Sequence, residues 1–247
     1  MTRPLEHATG PHGPPSAAAR AAAWTGGVLF VASLCCFLYA YLVVFGRPAP
    51  DGSWTGPAAL NFALFSVFAL HHSLFARTPF RAWIRRRADA RLERSIYVWI
   101  ASGLFLAVCW LWRPVPGELY RLTGAWWWIG IGVQAAGILV THVASRALDP
   151  LDLAGIRQAS GQDSKPLPRL VSSGLYGFVR HPIYFGWVLL VFGAPHMTMT
   201  RFVFAVVSTA YVMLAIPFEE RGLVGSYGRD YEAYRRVVRW RMLPPIY

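Results

Sequence analysis

Lysine occurs once in this sequence, at Lys165, and acidic side chains occur only 12 times against 23 arginines. Charged residues fill 15% of the 247 positions, where a soluble domain carries about a quarter. That scarcity excludes an ordinary soluble globular domain. Cysteine is scarce as well. Cys35, Cys36 and Cys109 all lie in apolar runs, with neither CxxC nor zinc-ligand spacing. This excludes a disulfide scaffold and predicts packed core thiols. No GxGxxG follows a strand, and no Walker loop, HExxH or GxSxG occurs. The common soluble nucleotide, metalloprotease and serine-hydrolase sites are therefore absent. The start, "MTRPLEHATGPHGPPSAAAR", has no apolar h-region. Residues 1–23 read as a disordered cytoplasmic tail and not as a signal peptide.

What the chain has in abundance is hydrophobic surface, at 55% of residues, gathered into long runs. Since roughly 17–25 apolar residues span a bilayer, the runs predict one all-α, polytopic integral membrane protein. Spans are expected near 24–45, 57–76, 95–112, 126–145, 182–197 and 202–218. That makes about six transmembrane helices, or five if the fifth crosses incompletely, because it is short and contains Gly193-Ala194-Pro195. Residues 24–145 form a four-helix half. Residues 146–247 supply a connector, a helical hairpin turning at "HMTMT", and a C-terminal helix.

The formal charge of +12 would suit nucleic acid in a soluble protein. Here the basic residues sit between apolar runs, so the membrane surface explains them and nucleic acid is excluded as a partner. The connectors at 77–94 and 146–181 and the tail from 219 onward hold seven, five and six Lys or Arg, while the alternate loops hold one, two and one. Eighteen against four places both termini in the cytoplasm, with six crossings.

That topology brings six ionisable groups to one depth: His71, His72, His142, His181, Glu219 and Glu220. Each of the first three histidines alone is most simply an interfacial side chain bonded to backbone. The acidic pair is harder to explain, since adjacent carboxylates repel and a helix C-terminus disfavours anions. Something cationic or donating must face it, either Arg180 or a ligand. In the tail, Tyr227, Tyr231, Tyr234 and Val238 fall on one helical stripe beside Arg235, Arg236 and Arg239. The stripe suits an amphipathic helix packed under the bundle, and equally a lid over a cytoplasmic pocket.

"GLYGFVRHPIYFGW", then an apolar hairpin, then "EERGLVGSYGRDYEAYRR", resembles the C-terminal signature of the isoprenylcysteine carboxyl methyltransferase and phospholipid methyltransferase superfamily. "HHSLFARTPFRAW" and "GAPHMTMTRFVFAVVSTAYVMLAIPFEERGLV" are similar to its bacterial methanethiol S-methyltransferases and NnrU-like membrane proteins. The resemblance implies a membrane methyltransferase using S-adenosyl-L-methionine, bound on the cytoplasmic side between the last hairpin and the tail. It assigns Gln158, Tyr176, Arg180, His181, Pro182, Tyr184, Gly186, Glu219, Glu220 and Tyr231 to the cofactor, and Arg180, His181, Glu219 and Glu220 to catalysis, with no metal.

The side-chain chemistry agrees with that assignment. Arg180 suits the cofactor carboxylate and a glutamate suits its ammonium or diol. Tyrosine faces attract a sulfonium by about 0.5–2 kcal/mol, and Gly186 permits close backbone approach. A base such as His181 helps only if the acceptor must lose a proton. The expected partners are membrane lipids and a small-molecule or lipid-like methyl acceptor, a methanethiol-like thiol ahead of a prenylcysteine carboxylate or an amino-lipid. A non-enzymatic alternative is a haem- or metal-binding membrane protein using His71, His72 and His142.

Overall fold

The computed structural model describes residues 16–75, 92–147, 156–159 and 169–247. Residues 1–15 of the expected tail, the arginine-rich 77–91 stretch and the Gln158 side chain lie outside the described residues.

Helix α1 (Ala17–Tyr39) runs on into a π-turn (Ala40–Val44). It starts seven residues before the expected 24, because the Ser16 hydroxyl caps Ala19 N–H and the alanines of 17–23 are strong helix formers. Then follow α2 (Thr55–Phe75), α3 (Glu93–Leu111), β1 (Glu118–Arg121), α4 (Ala125–Ser145), two single turns α5 (Ile156–Ala159) and α6 (Leu175–Phe178), α7 (Pro182–Phe192), β2 (His196–Thr198), α8 (Met199–Tyr227) and α9 (Arg229–Val237). Four helices are long and apolar enough to cross a membrane, Ala17–Val44, Glu93–Leu111, Ala125–Ser145 and Met199–Tyr227, and α7 is a shorter apolar helix. In the apolar stretch of each of the four long spans, at most 33% of the residues are buried within the protein. Trp110, Trp128, Leu214 and Val28 all face outward. An apolar surface of that extent is solvated by lipid.

The core is aromatic. Phe204 of α8 is fully buried and is ringed by Phe37, Tyr41, Phe45, Phe65, Trp112 and Trp187, at 5.1–5.9 Å between ring centroids. It joins α1, α2, α3 and α7 to α8. Cys109 is buried there, whereas Cys35, expected in the core, is exposed on the opposite face of α1.

The expected all-α architecture has one exception. Part of the "HMTMT" turn is strand β2, paired antiparallel with β1. The pairing satisfies backbone groups that an open turn at a membrane boundary would leave bare. Thr198 then caps α8 by accepting Arg201 N–H at 3.2 Å. Arg201, expected in an outer loop, is instead buried within the first turn of α8. Its guanidinium donates to Tyr41 O (3.0 Å), Leu42 O (2.6 Å) and His196 O (2.6 Å). The π-turn supplies two of those carbonyls, since its widened register releases backbone acceptors.

Helix α8 also passes 218, where the sequence places its end, and continues through Pro217 to Tyr227. Proline removes the bond to the carbonyl four residues earlier, which is that of Met213. The Tyr247 hydroxyl donates to Met213 O at 3.1 Å and fills the gap. Beyond Gly228 (φ +54°) the chain reverses into α9. The Tyr231, Tyr234 and Val238 stripe packs on Leu223, Val224, Tyr227 and Leu170, as a helix tucked under the bundle.

Helices α4 and α7 touch backbone to backbone. A Cβ at Gly137 would lie 2.5 Å from Leu190 N, and one at Gly186 would lie 2.7 Å from Gly137 O. Small residues permit such approach between membrane helices. Gly186→Val is therefore expected to destabilise the protein by about 1–3 kcal/mol or more through overpacking. Gly132→Val, on the open side of α4 with nothing within 4 Å, should leave the melting temperature in detergent nearly unchanged.

Candidate active site where α7, α8 and α9 meet

His181 caps α7, and Pro182 takes the first helical position, where its missing N–H costs nothing. The two residues before the helix are held by the C-terminal segment: Arg180 N–H donates to Trp240 O (2.9 Å) and His181 N–H to Arg241 O (2.8 Å). The Arg180 side chain reaches across the same segment. Its Nε donates to Glu220 Oε1 at 2.6 Å and its Nη1 to Val238 O (2.7 Å) and Arg239 O (2.8 Å). Arg241 Nε meets the other Glu220 oxygen at 3.3 Å. The expected pairing of Arg180 with the acidic pair is thus a buried ion pair with Glu220.

Glu219, one residue earlier, is turned about 100° around α8 and is exposed. It accepts from Tyr184 Oη at 2.9 Å. His181 stacks on Tyr184 with centroids 5.5 Å apart and lies between the two carboxylates, Nδ1 3.7 Å from Glu219 and Nε2 3.5 Å from Glu220. Those separations are too long for hydrogen bonds. His181 Nε2 is buried without a hydrogen-bond partner among the described residues, and so is the Tyr231 hydroxyl. Burial first, and the Glu220 charge second, push the Tyr231 phenol well above its ordinary range. It therefore stays protonated as a donor. Beside Glu220 a cleft of about 360 Å³ opens between α8 and α9, lined by Pro217, Glu220, Arg221, Val224, Arg235 and Arg241.

Three other residues assigned to the cofactor are placed differently. Tyr176 is a brace: its hydroxyl donates to Ala144 O (3.3 Å) and its carbonyl accepts from Tyr234 (2.7 Å). Burial pushes the Tyr234 phenol up to about 12. Gly186 faces α4. Pro182 is buried as the start of α7. His142 is exposed on α4, which packs on α7, while His71 and His72 sit on α2, which packs on α3 and α8. Among the described residues no three His, Cys, Asp or Glu side chains come together as a metal site.

Sequence reasoning missed Arg241 and the carbonyls of Val238 to Arg241. Arg241 looks like any other tail arginine, and a carbonyl acceptor leaves no residue-type signal. It also missed Tyr97 and Tyr211. The Tyr97 hydroxyl lies 2.7 Å from His72 Nδ1, and Tyr211 bonds Ser73 at 3.0 Å.

Two buried polar atoms without a hydrogen-bond partner among the described residues, His181 Nε2 and the Tyr231 hydroxyl, lie beside the ion-paired Glu220 and next to the exposed Glu219, which suits a polar, partly cationic ligand. Comparisons with known proteins point the same way. Residues 163–224 match the isoprenylcysteine carboxyl methyltransferase (ICMT) family. Methanethiol S-methyltransferase 2 of Bradyrhizobium diazoefficiens is 36% identical over 228 residues, 85% of either chain. Nurim of Danio rerio is 27% identical over 67% of this chain and 64% of its own. Protein-S-isoprenylcysteine O-methyltransferase of Dictyostelium discoideum is 28% identical over 49% of this chain and 50% of its own. No solved structure matches. With Arg180-His181-Pro182 and Glu219-Glu220 meeting in one cluster at the ends of apolar helices, and with that identity and coverage, the chain belongs to the family of the methanethiol S-methyltransferases, as a membrane methyltransferase whose residues 163–224 carry an isoprenylcysteine carboxyl methyltransferase (ICMT) family domain.

Proposed function

We propose that the protein transfers a methyl group from S-adenosylmethionine to a small apolar thiol, at the end of the bundle where α7, α8 and α9 meet. The observation that carries this reading is the split of the acidic pair: Glu220 is locked to Arg180, while Glu219 faces outward beside Tyr184 and His181. When bound, the cofactor supplies an electrophilic methyl on a sulfonium sulfur. Glu219 is the group that accepts from its ammonium or ribose diol. The Tyr231 hydroxyl and His181 Nε2 take up its remaining polar atoms. Arg180, with Nε and Nη1 committed, acts as a positioning residue that holds the C-terminal segment against α8. The thiol acceptor follows the name of the Bradyrhizobium relative, identical at more than a third of aligned positions. In this reading α2 and α7 join the four long spans to give six crossings, with both termini in the cytoplasm of a bacterial inner membrane.

The test is calorimetry of S-adenosylmethionine binding to purified protein in detergent, with labelled methyl transfer to methanethiol and to farnesylcysteine. Wild type is expected to bind the cofactor and to label methanethiol. Glu219→Gln should weaken binding roughly 10- to 100-fold, the worth of a charge-assisted hydrogen bond, with an unchanged melting temperature. A wild-type protein that neither binds the cofactor nor transfers methyl overturns the reading. Labelling of farnesylcysteine alone replaces the acceptor.

A further inference from the structure

A second polar cluster lies between α2, α3 and α8, with His72 and Tyr97 outside the 163–224 region that matches the ICMT family and Tyr211 inside it. The His72 ring is flanked by Phe68 (5.7 Å), Tyr97 (5.8 Å) and Tyr211 (6.5 Å), contributed by three different helices. Despite these neighbours His72 remains exposed, so its ring reaches the surface of the bundle between them. One imidazole nitrogen, Nδ1, is fixed by Tyr97 Oη at 2.7 Å. The other, Nε2, has no partner among the described residues. On α8, Tyr211, Ala215 and Glu219 follow at intervals of four and share a face. That face leads from the cluster to the Glu219–Tyr184 pair, and Tyr184 lies within electrostatic range of Tyr211 and Tyr97 as well as of Glu219.

We propose that the His72–Tyr97 pair is the proton-accepting wall of the acceptor pocket, and that the pocket takes a small neutral alkyl thiol. This rests on the methyl-transfer reading above. A neutral thiol is a weak nucleophile, and only the thiolate attacks well. With Nδ1–H donated to the Tyr97 oxygen, Nε2 presents a lone pair to the pocket. The thiol S–H bond breaks and its proton goes to Nε2. The sulfur pair then forms the new S–CH₃ bond as the methyl–sulfonium bond breaks, and that bond's electron pair stays on the cofactor sulfur. The products are a methyl thioether, neutral S-adenosylhomocysteine and an imidazolium, which returns its proton to water through the open side of His72. Phe68, Tyr97 and Tyr211 supply apolar ring faces, and Tyr211 is tied to Ser73 at 3.0 Å. Among the described residues, the titratable and charged groups that act on His72, Tyr97 and Tyr211 include His71 on α2, Arg94 on α3 and the more distant Glu219 on α8, with Tyr184 on α7 in range of both tyrosines.

The test uses full-length His72→Gln, His72→Ala and Tyr97→Phe in detergent, with methanethiol as the probe. S-adenosylhomocysteine is followed from about pH 6.5 to 9.5, across the usual thiol range, and cofactor affinity is measured separately by calorimetry. His72→Gln is expected to keep cofactor affinity and to lose about 100-fold or more in turnover near pH 7, as for a missing general base. The deficit should shrink as pH rises, because solvent then makes the thiolate. Tyr97→Phe should lose less, in the same direction. Wild-type turnover in the His72 variants, or a deficit that is flat with pH, overturns the proposal. A wild-type enzyme that is itself inactive toward every acceptor overturns the methyl-transfer reading instead, so the two failures are distinct.

Discussion

Arg180→Ala is expected to destabilise the protein by about 3–5 kcal/mol, the usual cost of breaking one side of a buried ion pair, and to abolish cofactor binding. Glu220 would keep its charge in a site where its side chain is only 7% exposed. Arg241, at 3.3 Å from the far oxygen, is no substitute for the 2.6 Å bond that is lost. The carbonyls of Val238 and Arg239 would lose their donor at the same time. That frees the segment that carries the bonds to Arg180 N–H and His181 N–H. The double variant Arg180→Met/Glu220→Leu removes both charges and should recover most of the stability, as replacement of buried pairs by apolar residues often does. It should still fail to bind cofactor, because the C-terminal segment is no longer clamped. Thermal unfolding in detergent measures the first effect and calorimetry the second. Single and double variants that both melt like wild type would show that the pair does not hold the site.

Arg201→Met is expected to lower stability by roughly 3 kcal/mol or more, counting about 1–3 kcal/mol for each buried acceptor left without a donor. Three carbonyls depend on that guanidinium, two from the π-turn and one from β2. Gly46 lies against it so closely that an added Cβ would stand 2.6 Å from Cζ. Gly46→Ala should therefore destabilise in the same direction. Arg201→Lys should rescue only in part, since an ammonium cannot span three acceptors in a fixed plane. Arg201 is 18 residues from Glu219 on α8, about 27 Å at 1.5 Å per residue. The folded fraction of Arg201→Met should thus bind cofactor with wild-type affinity. A melting temperature equal to wild type would refute the bridging role.

Much of the fold is legible in the sequence because hydrophobic runs are local. Helix α4 was expected at 126–145 and occupies Ala125–Ser145, and α3 departs by two residues at its start. The Tyr231, Tyr234 and Val238 stripe is equally legible, since periodicity alone fixes which face is buried. Where the reading failed, the deciding partner was remote. Pro217 looks like a helix end until Tyr247, thirty residues on, is found on the carbonyl it orphans. Gly186 reads only as a place of close backbone approach, and that the backbone approaching it is α4 appears when the helices are packed.

Composition alone determined that this chain lives in a membrane as a helical bundle, because so many apolar side chains and so few charges leave no other way to solvate them. The order of its letters also led to the expectation that Arg180, His181, Glu219 and Glu220 lie close together, and they do. Only the tertiary structure decided how they divide the work. The turn of α8 sends Glu220 inward to Arg180 and Glu219 outward to Tyr184. The C-terminal carbonyls commit Arg180 to holding the chain together. The physical reason is that every residue carries the same carbonyl. A bond to the backbone therefore depends on where the chain passes, and leaves no mark in which amino acid stands there.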